Sequence, residues 1–200
     1  MKIGAVLFDM DGTLVDSHGA IIRSWTRIAE EYELPLDDIL AVHAGRPAWS
    51  TLESVAPWLG AERIRQAGAR QLEWEYDDLD DVIAIDGALE LIEGVDRRGL
   101  KWAVVTSADE RLARARMGAV GITPPLLIST DDISAPKPDP EGYLLAASRL
   151  GVPPEGCLVV EDAPAGVAAG RAAGMRVVGV AGITGDLTVT NLVEILELLD

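Results

Sequence analysis

Five short apolar runs, each stopped by a polar segment, constrain this chain more than any other feature. The first, Ile3-Gly-Ala-Val-Leu-Phe8, ends in Asp-Met-Asp-Gly. Trp102 to Val105, Leu126 to Ile128, Cys157 to Val160 and Val177 to Val180 follow much later. A run that is apolar at every position, rather than at alternate ones, reads as a strand buried on both faces. Stretches around Arg111 to Met117, Pro140 to Leu150 and Ala163 to Ala173 separate the later runs and have helical character. Strand alternating with helix predicts an α/β fold built on a parallel, doubly wound sheet.

The pattern changes between Asp16 and about Ala84. Ile21, Trp25, Ile28 and Tyr32 recur at helical spacing, and no segment there reads as a buried parallel strand. The expectation is an all-helical cap over 16–83, inserted into a discontinuous core made of 1–15 and 84–200. Four of the five tryptophans, Trp25, Trp49, Trp58 and Trp74, fall in this insertion, where they could pack a core, face a partner or touch a substrate. Gly166, Gly170 and Gly174 repeat every fourth residue and predict a helix with a bare stripe for close packing. Neither GxGxxG nor GxxxxGK[ST] occurs, so a dinucleotide fingerprint and a nucleotide P-loop are both excluded.

Composition bounds the function further. A chain of 200 residues fits one large domain, or one domain with an insertion. Apolar residues make up 48% of it, yet no run approaches membrane-span length, and Met1 to Phe8 has no signal-peptide character. A cytoplasmic protein is expected. Cys157 has no second cysteine to pair with and lies in an apolar run, so it reads as a buried thiol. A formal net charge of −16 repels nucleic acid and anionic membranes. A phosphate-bearing substrate would need a metal to approach such a surface. Asp77, Asp78, Asp80 and Asp81 read as solvated surface and carry no assigned chemistry.

Open parallel sheets bind ligands beyond the carboxyl ends of their strands, so the residues just after each run carry the information. They are Asp9, Asp11, Gly12 and Thr13 after the first, Thr106 and Ser107 after the second, and Glu161 and Asp162 after the fourth. Lys137 follows the third at some distance, within Ala135-Pro-Lys-Pro138. Taken singly, each reads as readily as a helix cap or a strand end; together they predict one rim. Converging carboxylates repel by roughly 4 kcal/mol per pair at 4 Å and an effective dielectric near 20, a cost that a hard divalent cation removes. An all-oxygen donor set with few protein ligands suits magnesium.

Phe8-Asp-Met-Asp-Gly-Thr-Leu-Val-Asp-Ser17 resembles the first motif of the haloacid dehalogenase-like superfamily. Val104-Val-Thr-Ser107, Ala135-Pro-Lys-Pro-Asp-Pro140 and Val159-Val-Glu-Asp-Ala-Pro-Ala-Gly166 resemble the remaining three, in the family's order. The chain is most similar to the branch with a helical cap inserted after the first motif. That branch includes glycerol-3-phosphatase, 2-deoxyglucose-6-phosphatase, other sugar phosphatases and beta-phosphoglucomutase. The resemblance implies a Rossmann-like core and a phosphatase in which Asp9 attacks phosphorus. Asp11 would protonate the leaving alcohol and then activate water. It further implies Mg2+ held by Asp9, Asp162 and the Asp11 carbonyl, with Glu161 acting directly or through water. Thr106, Ser107 and Lys137 would hold the phosphoryl group of a small phosphorylated metabolite. A monomer is the branch's usual state.

Within the family, Asp11 argues against dehalogenation, because a halide leaves without a proton. No lysine lies in the insertion, so the cap lysine that phosphonatases use is missing. Ile21 stands where beta-phosphoglucomutase has its cap histidine, which weakens a sugar phosphomutase reading without removing it. Val42-His-Ala-Gly-Arg-Pro47 resembles the cap loop that related phosphatases place over substrate, and this makes His43 and Arg46 candidate substrate contacts. Two readings of another class are a receiver-like phospho-signalling module and a non-catalytic binding protein. Receivers put the acceptor Asp after an inner strand of a shorter chain, and a silent binder would be expected to have lost a motif residue.

Overall fold

The computed structural model describes residues 3–199; Met1, Lys2 and Asp200 lie outside it, so the extreme ends of the expected core are not described. The first apolar run forms β1 (Ala5–Phe8) at the centre of a six-stranded sheet. Its neighbours are β4 (Lys101–Val105) and β6 (Cys157–Glu161), both parallel to it, in register from Ala5 opposite Lys101 and Cys157 to Phe8 opposite Val104 and Val160. β5 (Leu127–Ile128) lies outside β4, while β7 (Arg176–Gly179) and β8 (Leu187–Thr188) extend the other side, all parallel. The five expected strands are thus present, with ends shifted by a residue or two. β8 was not expected: a two-residue strand is too short to show a period.

Helices cover both faces, which explains why the strands are apolar throughout. Val6, Phe8, Val104 and Val160 pack toward α5 (Ala88–Arg97) and α6 (Glu110–Ala119), against Leu91, Val95, Leu112 and Met117. Ala5, Leu7, Val105, Val159 and Val177 meet Tyr143 and Ala146 of α7 (Glu141–Leu150) and Val167 and Ala169 of α8 (Pro164–Ala172). Trp102 joins the first of these layers, edge-on to Phe8 with ring centroids 6.0 Å apart, and its indole N–H donates to Asp96 at 2.9 Å. Cys157 is fully buried, and burial pushes its thiol pKa up to about 11, as an inert structural cysteine requires.

After β1 the chain crosses through β2 (Val15–Asp16), which pairs antiparallel with β3 (Ile83–Ala84). Everything between these two short strands is helical where regular: α1 (His18–Tyr32), α2 (Leu36–Leu40), α3 (Ala48–Val55), a 3-10 turn at Pro57–Leu59, and α4 (Gly60–Tyr76). The two-stranded ribbon has no counterpart in the sequence reading, because two residues per strand carry no period. Trp25, Ile28, Ile39, Leu52 and Ile64 form a core of their own here. At about 1.5–3 kcal/mol per large apolar side chain buried, they stabilise the segment, and Leu72, Leu79 and Val82 add packing against the core on the sheet side. The other insertion tryptophans differ: Trp49 and Trp58 are 43% and 70% exposed, and Trp74 lies beneath the guanidinium groups of Arg27 and Arg70. In the acidic run, Asp78 and Asp81 chelate Arg23 of α1 at 2.7–2.8 Å.

The glycine stripe needs correction. Gly166 and Gly170 lie on α8, but the helix ends at Ala172, and Gly174 follows it in a left-handed turn at φ 75° with open space beside it. A Cβ on Gly170 would fall 2.8 Å from Val177 Cγ2 and 3.2 Å from Val159 Cγ1, so close packing on the sheet forbids one. Gly170→Ala is expected to destabilise the fold by about 1–3 kcal/mol, the usual cost of overpacking. Urea denaturation checks this; an unchanged midpoint would show that the helix can move away without cost.

Candidate active site

β4 and β5 lie to one side of β1 and β6 to β8 to the other, so successive crossovers diverge at the carboxyl end of β1. A crevice opens at such a switch point. Asp9 is the first residue beyond β1, and its backbone N–H donates to Val160 O at 3.0 Å, which fixes it at the mouth of the crevice. Gly12 holds φ 85°, and a Cβ there would come within 2.0 Å of Asp162 Oδ2. Only glycine lets the loop after β1 come this close to the carboxylate after β6. Thr13 then donates its hydroxyl to Asp162 Oδ1 at 3.3 Å.

Lys137 reaches the centre from the loop before α7. Its ammonium donates to Asp9 Oδ1 at 2.5 Å, to Glu161 Oε1 at 2.6 Å and to Val105 O at 3.0 Å, which uses all three donors. Glu161 is fully buried; it also accepts the Tyr143 hydroxyl at 2.7 Å on Oε1 and the Ala163 N–H at 3.3 Å on Oε2. Gly166 faces it, since a Cβ there would lie 1.6 Å from Glu161 Oε1. Asp9, Glu161 and Asp162 offer oxygens that all lie within 4.8 Å of one another.

Charge is badly balanced in this cluster. Desolvation, followed by Glu161 and Asp162, drives the Asp9 pKa well above the usual carboxylate range despite Lys137. Desolvation and Glu161 push Asp162 up to about 7. Burial works against the charge on Lys137, but Asp9 and Glu161 outweigh it and its pKa rises. Two buried carboxylates, Asp9 and Glu161, and the half-buried Asp162 share one ammonium, and all the donors are oxygens. A hard divalent cation fits both facts.

The other expected residues divide. Thr106 is buried beside the crevice, and its hydroxyl accepts the Ala108 N–H at 3.1 Å. Ser107 donates to the Gly45 carbonyl at 2.9 Å, so its hydroxyl bridges to the helical segment rather than pointing free into the crevice. The Asp11 carboxylate is held by other donors than Lys137: Oδ1 accepts from Ser17 Oγ at 2.6 Å and from Arg116 at 2.9 Å. Above Asp9 and Asp162 a cavity of about 300 Å³ is roofed by the loop 43–47, so His43 and Arg46 line the same space as Asp9, Asp11, Thr106 and Ser107. Gln71 and Glu75 of α4 close one wall together with Arg116.

Arg116, Glu75, Gln71 and Tyr143 were not among the expected site residues. A sign was available for three of them. Arg116 falls four residues after Leu112 on the buried side of α6, and Gln71 and Glu75 continue the buried stripe from Ile64 and Ala67 on α4. Charged or polar residues on an apolar stripe need a partner, and here they partner each other. Gln71 Nε2 donates to Glu75 Oε1 at 2.6 Å and to Ser24 Oγ at 3.0 Å, and Ser24 donates to Glu75 at 2.7 Å. Tyr143 gave no sign, because an aromatic on a helix facing a sheet reads as core.

Known proteins decide the family. Residues 3–174 match the family described as haloacid dehalogenase-like hydrolase. The chain belongs to that family. It is 36% identical over 181 residues to hexitol phosphatase A of Escherichia coli, covering 90% of this chain and 84% of that protein. It is 32% identical over 191 residues to glycerol-1-phosphate phosphohydrolase 1 of Saccharomyces cerevisiae, covering 90% and 76%. Among solved structures, a hydrolase from Pseudomonas syringae superposes with a TM-score of 0.84 at 27% identity, covering 98% of each chain. This haloacid dehalogenase-like hydrolase is therefore an enzyme with the expected α/β core, and among its described residues no helix is long and apolar enough to cross a membrane.

Burial, with His18 nearby, holds the His43 pKa below its ordinary 6.5. As pH falls, the unfolded chain takes up this proton before the folded hydrolase does. The contribution is thus present at neutral pH and lost below about 6.5. Urea midpoints at about pH 7.5 and 5.5 are expected to fall less in His43→Gln than in wild type. Equal falls would show that residue 43 is not buried as a neutral imidazole.

Proposed function

We propose that this enzyme is a magnesium-dependent phosphatase that hydrolyses a small sugar or polyol phosphate, glycerol phosphate included, through an aspartyl-phosphate on Asp9. The observation that carries the reading is the cluster of Asp9, Glu161 and the half-buried Asp162, whose oxygens lie within 4.8 Å beside Lys137. The names of the hexitol and glycerol phosphate relatives support the substrate class.

Asp9, Asp162 and the Asp11 carbonyl would hold magnesium, and the bound ion would supply the positive charge that lets a phosphate dianion approach a carboxylate. Glu161, whose oxygens already accept from Lys137, Tyr143 and Ala163, suits an outer position that orients Lys137. Asp9 forms its bond to phosphorus as the bond to the leaving alcohol breaks, and Asp11 gives that alcohol its proton. Asp11 then takes a proton from water as the water oxygen displaces Asp9. Lys137 and Thr106 stabilise the transferred group, whose charge spreads over three oxygens. Residues 16–83 act as a cap, with His43 and Arg46 contacting the hydroxyls or charge of the leaving group, and Ser107 tying the loop 43–47 to the core.

Asp9→Asn is expected to lower kcat by at least about 10⁴-fold, the loss seen when a catalytic nucleophile is removed. A phosphate-release screen over sugar, polyol and nucleotide monophosphates, run with magnesium and with chelator, measures this. Polyol and sugar esters are expected to lead, in a magnesium-dependent way. Near wild-type turnover by Asp9→Asn, or full activity in chelator, overturns the reading.

A further inference from the structure

Arg116 heads the largest fully buried side chains among the described residues, at 2% exposure. Its guanidinium joins two carboxylates from different parts of the chain: NH1 donates to Asp11 Oδ1 at 2.9 Å, and NH2 meets Glu75 Oε2 at 3.1 Å as an ion pair. Nε makes no hydrogen bond among the described residues. Burying a charge with an unpaired donor costs folding free energy that an apolar side chain of similar size would avoid. Such costs persist where a function offsets them.

The geometry at Asp11 suggests what that function is. Both donors that reach this carboxylate, Ser17 Oγ and Arg116 NH1, fall on Oδ1. Oδ2 accepts no hydrogen bond among the described residues, so it is the oxygen free to carry a proton. We propose that Arg116 is a positioning residue for the acid/base Asp11: with Ser17 it pins Oδ1, aims Oδ2 at the leaving oxygen, and through Glu75 makes that aim depend on a docked cap. The proposal rests on the reading of Asp11 as the acid/base. The Oδ2–H bond breaks as the proton passes to the leaving oxygen, which keeps the electron pair of its broken bond to phosphorus. In the second half, a water proton returns to Oδ2 as the water oxygen bonds to phosphorus and the bond to Asp9 opens.

Coupling to the cap follows from the partners of Glu75. It lies near the end of α4 and is held by Ser24 of α1 and Gln71, so its place is fixed by the helical segment, whereas Arg116 and Asp11 belong to the sheet side. Tyr76, next to it, donates to Asp109 at the start of α6 and lies under the Arg111 guanidinium, 3.9 Å from the ring centroid. If the segment swings away on the β2 and β3 ribbon, Arg116 loses Glu75 and Asp11 loses its fixed neighbour. The acid is then aligned only when the cavity is roofed.

Leaving-group dependence separates this role from a structural one. A p-nitrophenolate departs without a proton, whereas an alkoxide does not. With magnesium present, kcat/KM is measured for esters running from p-nitrophenyl phosphate to glycerol and hexitol phosphates. Arg116→Met is expected to lose about 100-fold on the alkyl esters, the lower range of general acid catalysis, and under about 5-fold on the aryl ester. Arg116→Lys is expected to recover about 10-fold of the alkyl loss. Should Arg116→Met fail to fold, the double variant Arg116→Met/Glu75→Gln removes both buried charges at constant volume and is expected to give the same pattern. Equal losses on aryl and alkyl esters would overturn the proposal. Asp11→Asn serves as the reference: selective loss there with uniform loss at Arg116 rejects the positioning role alone, while a flat Asp11→Asn profile rejects the acid/base assignment and the proposal with it.

Discussion

Mutual repulsion among Asp9, Glu161 and Asp162 is the constraint on which the rest of this structure depends. Their oxygens lie within 4.8 Å in a partly dry crevice. At roughly 4 kcal/mol per close pair, the arrangement costs a sizeable part of a typical domain's stability of about 5–15 kcal/mol. Lys137 offsets part of this by spending its donors on Asp9, Glu161 and a strand carbonyl. The sheet offsets more by rigidity: β1 and β6 are adjacent and in register, so the two acidic strand ends cannot separate without breaking the centre of the fold. Gly12 and Gly166 remove the side chains that would hold the loops apart. What remains unbalanced is negative charge facing a cavity, which is where a cation and a phosphoryl dianion would complete the set.

A second buried electrostatic unit lies beside the first and links the two parts of the molecule. Asp11, Arg116 and Glu75 alternate in sign, so each charge has an opposite neighbour, and the Arg116 pKa rises because Asp11 and Glu75 outweigh the cost of burial. Desolvation nevertheless keeps Glu75 above its ordinary range. The helical segment docks on the sheet through this triad, through Ser107 to Gly45, and through Tyr76 with Asp109 and Arg111. Leu72, Tyr76, Leu79 and Val82 of the segment add apolar contacts to these polar ones by packing against the core on the sheet side. The directional contacts fix one relative placement of the two parts.

Much of the centre was legible because its chemistry and its topology coincide. Asp9, Thr106 and Glu161 each directly follow an apolar run, with Asp162 one residue further on, and parallel strands of similar length bring such residues to one rim. The seam was less legible. Arg116 and Glu75 are 41 residues apart, on helices whose apolar stripes looked ordinary until two charged positions were found to face each other across them. Ser107 lines the cavity with Asp9 and also reaches the Gly45 carbonyl of the insertion, a contact that nothing in its own sequence neighbourhood specifies. Spacing alone puts Gly174 on a helix, but the helix stops at Ala172 and the chain turns at Gly174.

By itself the sequence determined the fold class, the strand order of the acidic and basic groups along the chain, and the helical character of the insertion. Each of these is written in local periodicity and in which residue ends each run. Tertiary structure decided which oxygen of Asp11 is bound, which side chains close the cavity, and how the insertion is held over the sheet. Those depend on distances of a few ångströms between segments far apart in the chain, and a one-dimensional pattern contains no record of them.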